Sequence, residues 1–248
     1  MNFKDHFSAH AAIYREARPR YPAALFDFLA AQAPSTTRAW DPGCGNGQAS
    51  VDLARRFDEV IATDPSVEQI AHAIPRSNIH YRAEPAERTS IDAASIDLVC
   101  VAQALHWFEL DRFHDEVRRV LRPRGMVAFW CYADCRVDAV IDALKNRVYV
   151  DLTGPYWPPE RTLIEGGYSD LSFPFERIVA PPIELCMQWN LDHFLAYLRS
   201  WSATQRYIRA NGQDPVSLVE NEMRQAWGDP ARLRAVRWDF HLQCGRLQ

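Results

Sequence analysis

Three glycines at alternate positions constrain this chain more than any other feature. The segment Trp40-Asp41-Pro42-Gly43-Cys44-Gly45-Asn46-Gly47 follows a short run toward strand character and precedes a stretch that puts Val51, Ala54 and Phe57 on one helical face. The pattern reads as strand, tight turn and helix. Glycine has no Cβ, so its backbone can approach a ligand closely and adopt positive φ. A helix start adds free N–H groups and the positive end of the peptide dipoles. A turn of this kind, at the carboxyl end of a first strand, predicts an open α/β sheet with a nucleotide-like ligand at its edge.

The rest of the first half keeps that rhythm. Residues 23–32 open behind Pro22 with the apolar stripe Leu25, Phe26 and Leu29, a helical pattern. A β-branched run covers 59–63, a helix 66–73, a strand 78–81 and a buried strand 96–102. Leu110, Phe113, Val117, Val120 and Leu121 mark an amphipathic helix that Pro123 and Gly125 end, and 126–130 forms another strand. Such alternation predicts a parallel sheet with helices on both faces. The rhythm breaks across 134–172, rich in proline, glycine and aromatics around Gly154-Pro155-Tyr156-Trp157-Pro158-Pro159. That stretch reads as an insertion covering the carboxyl edge of the sheet. Strand character returns over 175–189, broken by Pro181-Pro182, followed by helices at 191–201 and 215–227 and a last strand near 233–242. Asp214 and Gly228 suit the start and stop of the second helix.

The glycines discriminate among ligands. A dinucleotide fingerprint needs G-x-G-x-x-G, but Gln48 stands where the third glycine is required. A phosphate P-loop ends in Gly-Lys-Ser/Thr, which is absent. The D-x-G-x-G-x-G pattern instead resembles motif I of the class I methyltransferases. Asp41 puts a carboxylate at the strand end, which suits an ammonium and a sulfonium better than a pyrophosphate. Asp64, in Thr63-Asp64-Pro65-Ser66, ends the second strand, where an acid reaches ribose hydroxyls or caps the next helix. Ala83 and Glu84 close the third strand and are candidates to flank an adenine. Ala102 and Gln103 end the fourth strand beside the expected methyl-transfer point; His106 is a candidate base or orienting group there, and Trp107 a pocket wall.

Three further segments narrow the resemblance to the trans-aconitate methyltransferase-like branch: Tyr14 to Pro22 ahead of the sheet, Leu105-His106-Trp107-Phe108, and Leu198 to Tyr207. The resemblance implies S-adenosylmethionine as methyl donor, with S-adenosylhomocysteine as product. It also implies a Rossmann-like seven-stranded, mostly parallel sheet with an antiparallel last strand. The chain then reads as one methyltransferase domain: lid helices over 1–35, a cofactor-binding core over 36–132, substrate-cap segments over 133–172 and 190–228, and carboxyl-terminal strands over 173–189 and 233–248. Cofactor candidates are Tyr14 and Arg18 from the lid, Asp41, Gly43, Cys44, Gly45, Asp64 and Pro65 from the core, and Ala83, Glu84, Ala102 and Gln103. Trp107, Arg199, Arg206 and Tyr207 are candidates for a small-molecule acceptor, since guanidinium matches carboxylate geometry.

Composition and motif weigh against a nucleic-acid methyltransferase, which stands as the less favoured alternative. The chain has 248 residues, 48% hydrophobic and 24% charged, with a net charge of −4; a polyanion binder usually carries a basic excess. Residues 103–108 hold neither the Asn/Asp-Pro-Pro-aromatic motif of amino-directed DNA enzymes nor a Pro-Cys nucleophile. A non-catalytic donor-binding protein is an alternative, because the motif reports binding rather than chemistry. The polar start and the lack of an apolar span predict neither a secretion signal nor a membrane segment. Six cysteines without a C-x-x-C pair predict free thiols in a cytoplasmic protein, monomeric or homodimeric, with no metal site.

Overall fold

The computed structural model describes residues 17–247. The core is a mixed sheet of eight strands: β1 (Arg38–Pro42), β2 (Glu59–Thr63), β3 (Ile79–Arg82), β4 (Ile96–Ala102), β5 (Leu121–Arg136), β6 (Glu176–Ile178), β7 (Leu185–Trp189) and β8 (Arg234–Arg246). Their order is β3-β2-β1-β4-β5-β8-β6, with β7 also on β8. The first five strands pair in parallel, and β8 runs antiparallel to β5, β6 and β7.

The strand count is eight where seven were expected. The difference lies in the diproline: Pro181 and Pro182 donate no ladder N–H, so the 175–189 stretch divides. The piece before them pairs with Glu176↔Arg246 to Ile178↔Cys244, and the piece after them with Leu185↔Trp238 to Trp189↔Arg234. Both lie along the same strand, β8.

Helices α1 (Ala23–Gln32) and α2 (Gln48–Leu53) cover one face of the sheet, and α4 (Leu110–Val120) the other, while α3 (Val67–Ala71) links β2 to β3. Period-two burial follows. Along β5, Met126, Ala128 and Trp130 pack with Leu25, Phe26 and Leu53, whereas Val127, Phe129 and Cys131 pack with Phe113 and Val117. Both sets are fully buried, so a parallel strand reads as a continuous apolar run. Asp97, also fully buried, ties three strands together: it accepts from the Arg38 N–H and from Arg122, both at 2.8 Å.

A third apolar cluster holds the cap. It joins α5 (Ala139–Asn146), α7 (Leu191–Arg199) and α9 (Glu220–Trp227) to β7 and β8; the cap also holds α6 (Arg161–Glu165) and α8 (Ser202–Asn211). The segment expected as a helix over 215–227 opens as a 3-10 turn, Pro215–Leu218, capped by the Asp214 carboxylate on the Val216 N–H, before α9 begins. Gly228, at φ +75°, ends it. Helix α8 was not anticipated. No described helix is long and apolar enough to cross a membrane.

Candidate functional site

Strand order reverses between β1 and β4, which pair with each other in parallel. Ligands in open α/β sheets bind beyond the carboxyl ends of the strands at such a point. A cavity of about 750 Å³ lies there, walled by the glycine loop, the ends of β2 and β4, and the cap.

The loop is held by backbone first. The Cys44 N–H donates to the Thr63 carbonyl at 3.0 Å and the Gly47 N–H to the Cys44 carbonyl at 2.9 Å. Gly43, Gly45 and Gly47 all have positive φ, which L side chains avoid. Asp64 fastens the loop from β2: one carboxylate oxygen accepts from the Gly45 N–H and the other from the Ser66 N–H, each at 2.9 Å. Ser66 in turn caps α3. Asp64 was expected to reach the ribose or to cap the next helix; Ser66 makes that cap, and Asp64 instead braces the glycine loop and the turn ahead of the helix.

Asp41 is fully buried. One oxygen accepts from the Ser50 hydroxyl at 2.6 Å; the other, Oδ1, has no hydrogen-bond partner among the described residues. Burial, with a smaller contribution from the nearby Asp64 charge, pushes the Asp41 carboxyl up to about 7. A buried acceptor without a donor is uncommon and calls for an explanation; a cation placed against it would supply one.

At the other end, His106 lines the cavity with its Nδ1 2.8 Å from the Tyr168 hydroxyl. Burial, aided by the Arg161 charge, lowers its pKa to about 3. Trp107 stands beside it, ring centroids 4.6 Å apart.

The comparisons agree with this geometry. The family model described as a methyltransferase domain matches residues 40–129. A Dictyostelium discoideum protein assigned as a methyltransferase is 32% identical over 229 residues, spanning 91% of this chain and 87% of that one. A Saccharomyces cerevisiae protein named a probable S-adenosylmethionine-dependent methyltransferase is 35% identical, spanning 90% and 88%. A solved structure from Anaeromyxobacter dehalogenans, given as a type II methyltransferase, superposes with a TM-score of 0.86 at 45% identity over 92% of this chain and 97% of that one. The chain belongs to the class I S-adenosylmethionine-dependent methyltransferases. The narrower trans-aconitate-like branch rests on the motif segments alone.

The residues present fit the methyltransferase donor, a nucleoside bearing a sulfonium and an ammonium. Asp41, with an oxygen that has no partner among the described residues, and Asp64 make that end of the cavity acidic, and a bound cation would favour the ionised form of Asp41. Gly45 adds a gap: a Cβ there would meet nothing closer than Gln69 at 3.9 Å. Arg18, Asp41, Gly43, Cys44, Gly45, Asp64, Pro65, Ala102, Gln103, His106 and Trp107, all expected from sequence, share the one cavity wall. The Gln103 side-chain amide is paired with the Tyr132 N–H and carbonyl, both at 2.9 Å. Tyr14 lies outside the described residues.

Five expected residues do not line the cavity. Glu84 accepts from the Ser90 hydroxyl and N–H, at 2.6 and 3.0 Å, and Ala83 precedes that turn. The wall passes instead to Pro85, Ala86, Glu87 and Arg88. Arg199 is committed to Asp214 and Glu220, Arg206 donates to the Tyr156 carbonyl at 3.1 Å, and the Tyr207 ring packs on Tyr156. These three brace the cap; the neighbouring Tyr197, Trp201 and Ser202 face the cavity in their place. Sequence reasoning missed Tyr21, Tyr132, Trp157 and Arg161 in the wall. The segment Tyr14 to Pro22, which contains Tyr21, and the aromatic-proline insertion around Trp157 pointed to the region but not to the residues.

Asp64→Ala is expected to lower S-adenosylhomocysteine affinity by about 10- to 100-fold, the worth of one or two charge-assisted hydrogen bonds including the loop brace. Calorimetry on the folded variant checks this, and an affinity equal to wild type would remove Asp64 from the donor site.

Proposed function

We propose that this methyltransferase transfers the donor's methyl group to an oxygen, carboxylate or hydroxyl, of a small-molecule acceptor held under the cap. One observation carries the reading: a single cavity joins an acidic end built on the glycine loop to an aromatic end built by the insertion, which also contains a guanidinium. Its volume falls within the roughly 300–1,000 Å³ common for small-molecule sites. The donor supplies a methyl already activated by its sulfonium. The chain's residues then have positioning and water exclusion to provide. Asp41 holds the cationic groups, with Gly43, Cys44, Gly45 and Pro65 as the backbone bed. Asp64 orients the ribose end, and Ala102 and Gln103 form the floor below the methyl. Arg18 adds closure from the amino-terminal side: it donates to the Ser200 carbonyl at 3.2 Å and stacks over Tyr197, linking that segment to the cap.

The net charge of −4 supports a small acceptor over nucleic acid. Six unpaired cysteines, five of them buried, support action in a reducing compartment such as the cytoplasm. The test is to incubate the enzyme with methyl-labelled donor and a cell extract separated into small-molecule, protein and RNA fractions. Label is expected in small molecules as methyl ester or ether. Label confined to RNA or protein would overturn the reading.

A further inference from the structure

We infer that Arg161 and His106 form a receptor for an ionised oxygen, with Tyr168 holding His106 in the tautomer that donates from Nε2. The inference rests on the methyl-transfer reading above and narrows its acceptor to one that arrives already as an anion, a carboxylate.

Tyr168 is only 1% exposed. Its phenol proton needs an acceptor when buried, and among the described residues His106 Nδ1, at 2.8 Å, is the one it has. A neutral imidazole that accepts at Nδ1 carries its proton on Nε2. The low pKa of the ring keeps it neutral. His106 Nε2 has no protein partner among the described residues and yet is not one of the buried atoms left without a partner, so it is accessible, and the ring lines the cavity. It is a donor facing that space, with no lone pair to accept a proton.

Arg161 supplies the second half. Its Nε donates to the Tyr149 hydroxyl at 2.9 Å and lies 3.5 Å from Glu165. Its guanidinium lies over Trp157 at 4.8 Å and over Tyr149 at 5.4 Å. One edge and one face are thereby fixed in a side chain only 14% exposed, whereas Nη1 and Nη2 have no partner among the described residues. A rigid guanidinium with its fork open matches a carboxylate. The other arginines of the wall are engaged differently: Arg112 pairs with Glu109 at 61% exposure, Arg88 is exposed, and Arg18 bridges to the cap.

The chemistry closes without a base. A carboxylate oxygen seated on these donors forms the new O–CH3 bond with a lone pair while the S–CH3 bond of the donor breaks. The anion becomes a neutral ester, the sulfonium becomes a thioether, and no proton is released. A phenol or alcohol would have to lose one, and His106 held as a donor cannot take it.

Nitrogen-15 NMR of the full chain saturated with S-adenosylhomocysteine reads the ring directly, His106 being assigned by the loss of its signals in His106→Gln. At neutral pH the expected result is an unprotonated Nδ1 and a protonated Nε2, with the preference lost in Tyr168→Phe. Sodium acetate should shift the Nε2 signal saturably and acetamide should not. Arg161→Gln should weaken acetate by about tenfold or more, the scale of one bidentate pair, while S-adenosylhomocysteine affinity stays within about threefold. An Nε2 without its proton, or acetate bound no better than acetamide, overturns the inference. Failure of wild-type protein to bind S-adenosylhomocysteine would instead strike the donor-site reading, and the tautomer is read in either case.

Discussion

Replacing Asp41 with asparagine should stabilise the ligand-free enzyme at about pH 8 while weakening donor binding by about 30-fold or more. Both effects come from one fully buried carboxyl. In the folded chain it titrates at about 7, against an ordinary value of 3.8. Between these values the unfolded chain has released its proton and the folded chain has kept it. The folded state then binds more protons, so wild-type stability falls as pH rises from about 4 to about 7 and levels off above. At about 1.4 kcal/mol per tenfold in proton affinity, the full penalty is on the order of 4 kcal/mol. Asparagine cannot ionise, so the variant lacks this decline. Its amide is itself buried, with Ser50 as the one neighbour already bonded at this position. The net gain above neutrality is therefore about 1–3 kcal/mol, or several degrees in Tm for a chain of this size. Donor binding reverses the sign. The cationic ligand needs the ionised carboxylate, so wild-type affinity should fall by up to about tenfold per pH unit below 7, and that slope should vanish in Asp41→Asn. Thermal melts and calorimetry from about pH 5 to about pH 8 measure both. A variant that melts below wild type at the upper end, or binds the donor equally well, would remove Asp41 from this role.

That coupling explains how much of the molecule could be read in advance. Strands β1, β2, β4 and β5 announce themselves because both faces of a parallel sheet are covered, and Val99 or Phe129 must be apolar whichever way it points. The motif loop is legible because φ near +55° to +84° at Gly43, Gly45 and Gly47 is a local demand that falls on residue type. The count of strands was missed where local signal and global pairing diverge: Pro181-Pro182 divides a stretch whose halves rejoin along β8. Site residues outside the motif were harder still. Arg199 and Arg161 look alike in sequence, yet Arg199 is neutralised by Asp214 and Glu220, while Arg161 is stacked on Trp157 and Tyr149. The difference is made by partners distant in the chain, which no local pattern encodes. Glu84 failed for a related reason: its turn folds back on Ser90, moving the wall past it to Pro85 and its neighbours.

The three loop glycines, identical in the motif, should separate sharply on substitution. Gly43→Ala should lower the Tm by about 10 °C or more, or yield no soluble protein, because two penalties add. At φ +67° an L residue costs about 1–2 kcal/mol. The new Cβ would also lie 2.6 Å from the Ala104 Cβ, an atom fixed by backbone with no rotamer to yield, which adds about 1–3 kcal/mol of overpacking. Gly47→Ala should behave likewise, since its Cβ would meet the Tyr81 ring, held by the phenol's hydrogen bond to the Ile74 carbonyl at 2.9 Å. Gly45→Ala should not. Its φ of +55° carries the same left-handed cost, but the nearest atom stands 3.9 Å away, so the fold should lose only about 1–2 kcal/mol. The space its methyl enters belongs to the cavity wall, and S-adenosylhomocysteine affinity should fall by about 100-fold or more as close backbone approach is blocked. Melting curves and calorimetry on the three variants check the contrast. A Gly45→Ala protein that binds normally would mean that the ligand does not rest on this loop, whereas a stable Gly43→Ala protein would mean that Ala104 can move away, and with it the end of β4 that forms the floor of the site.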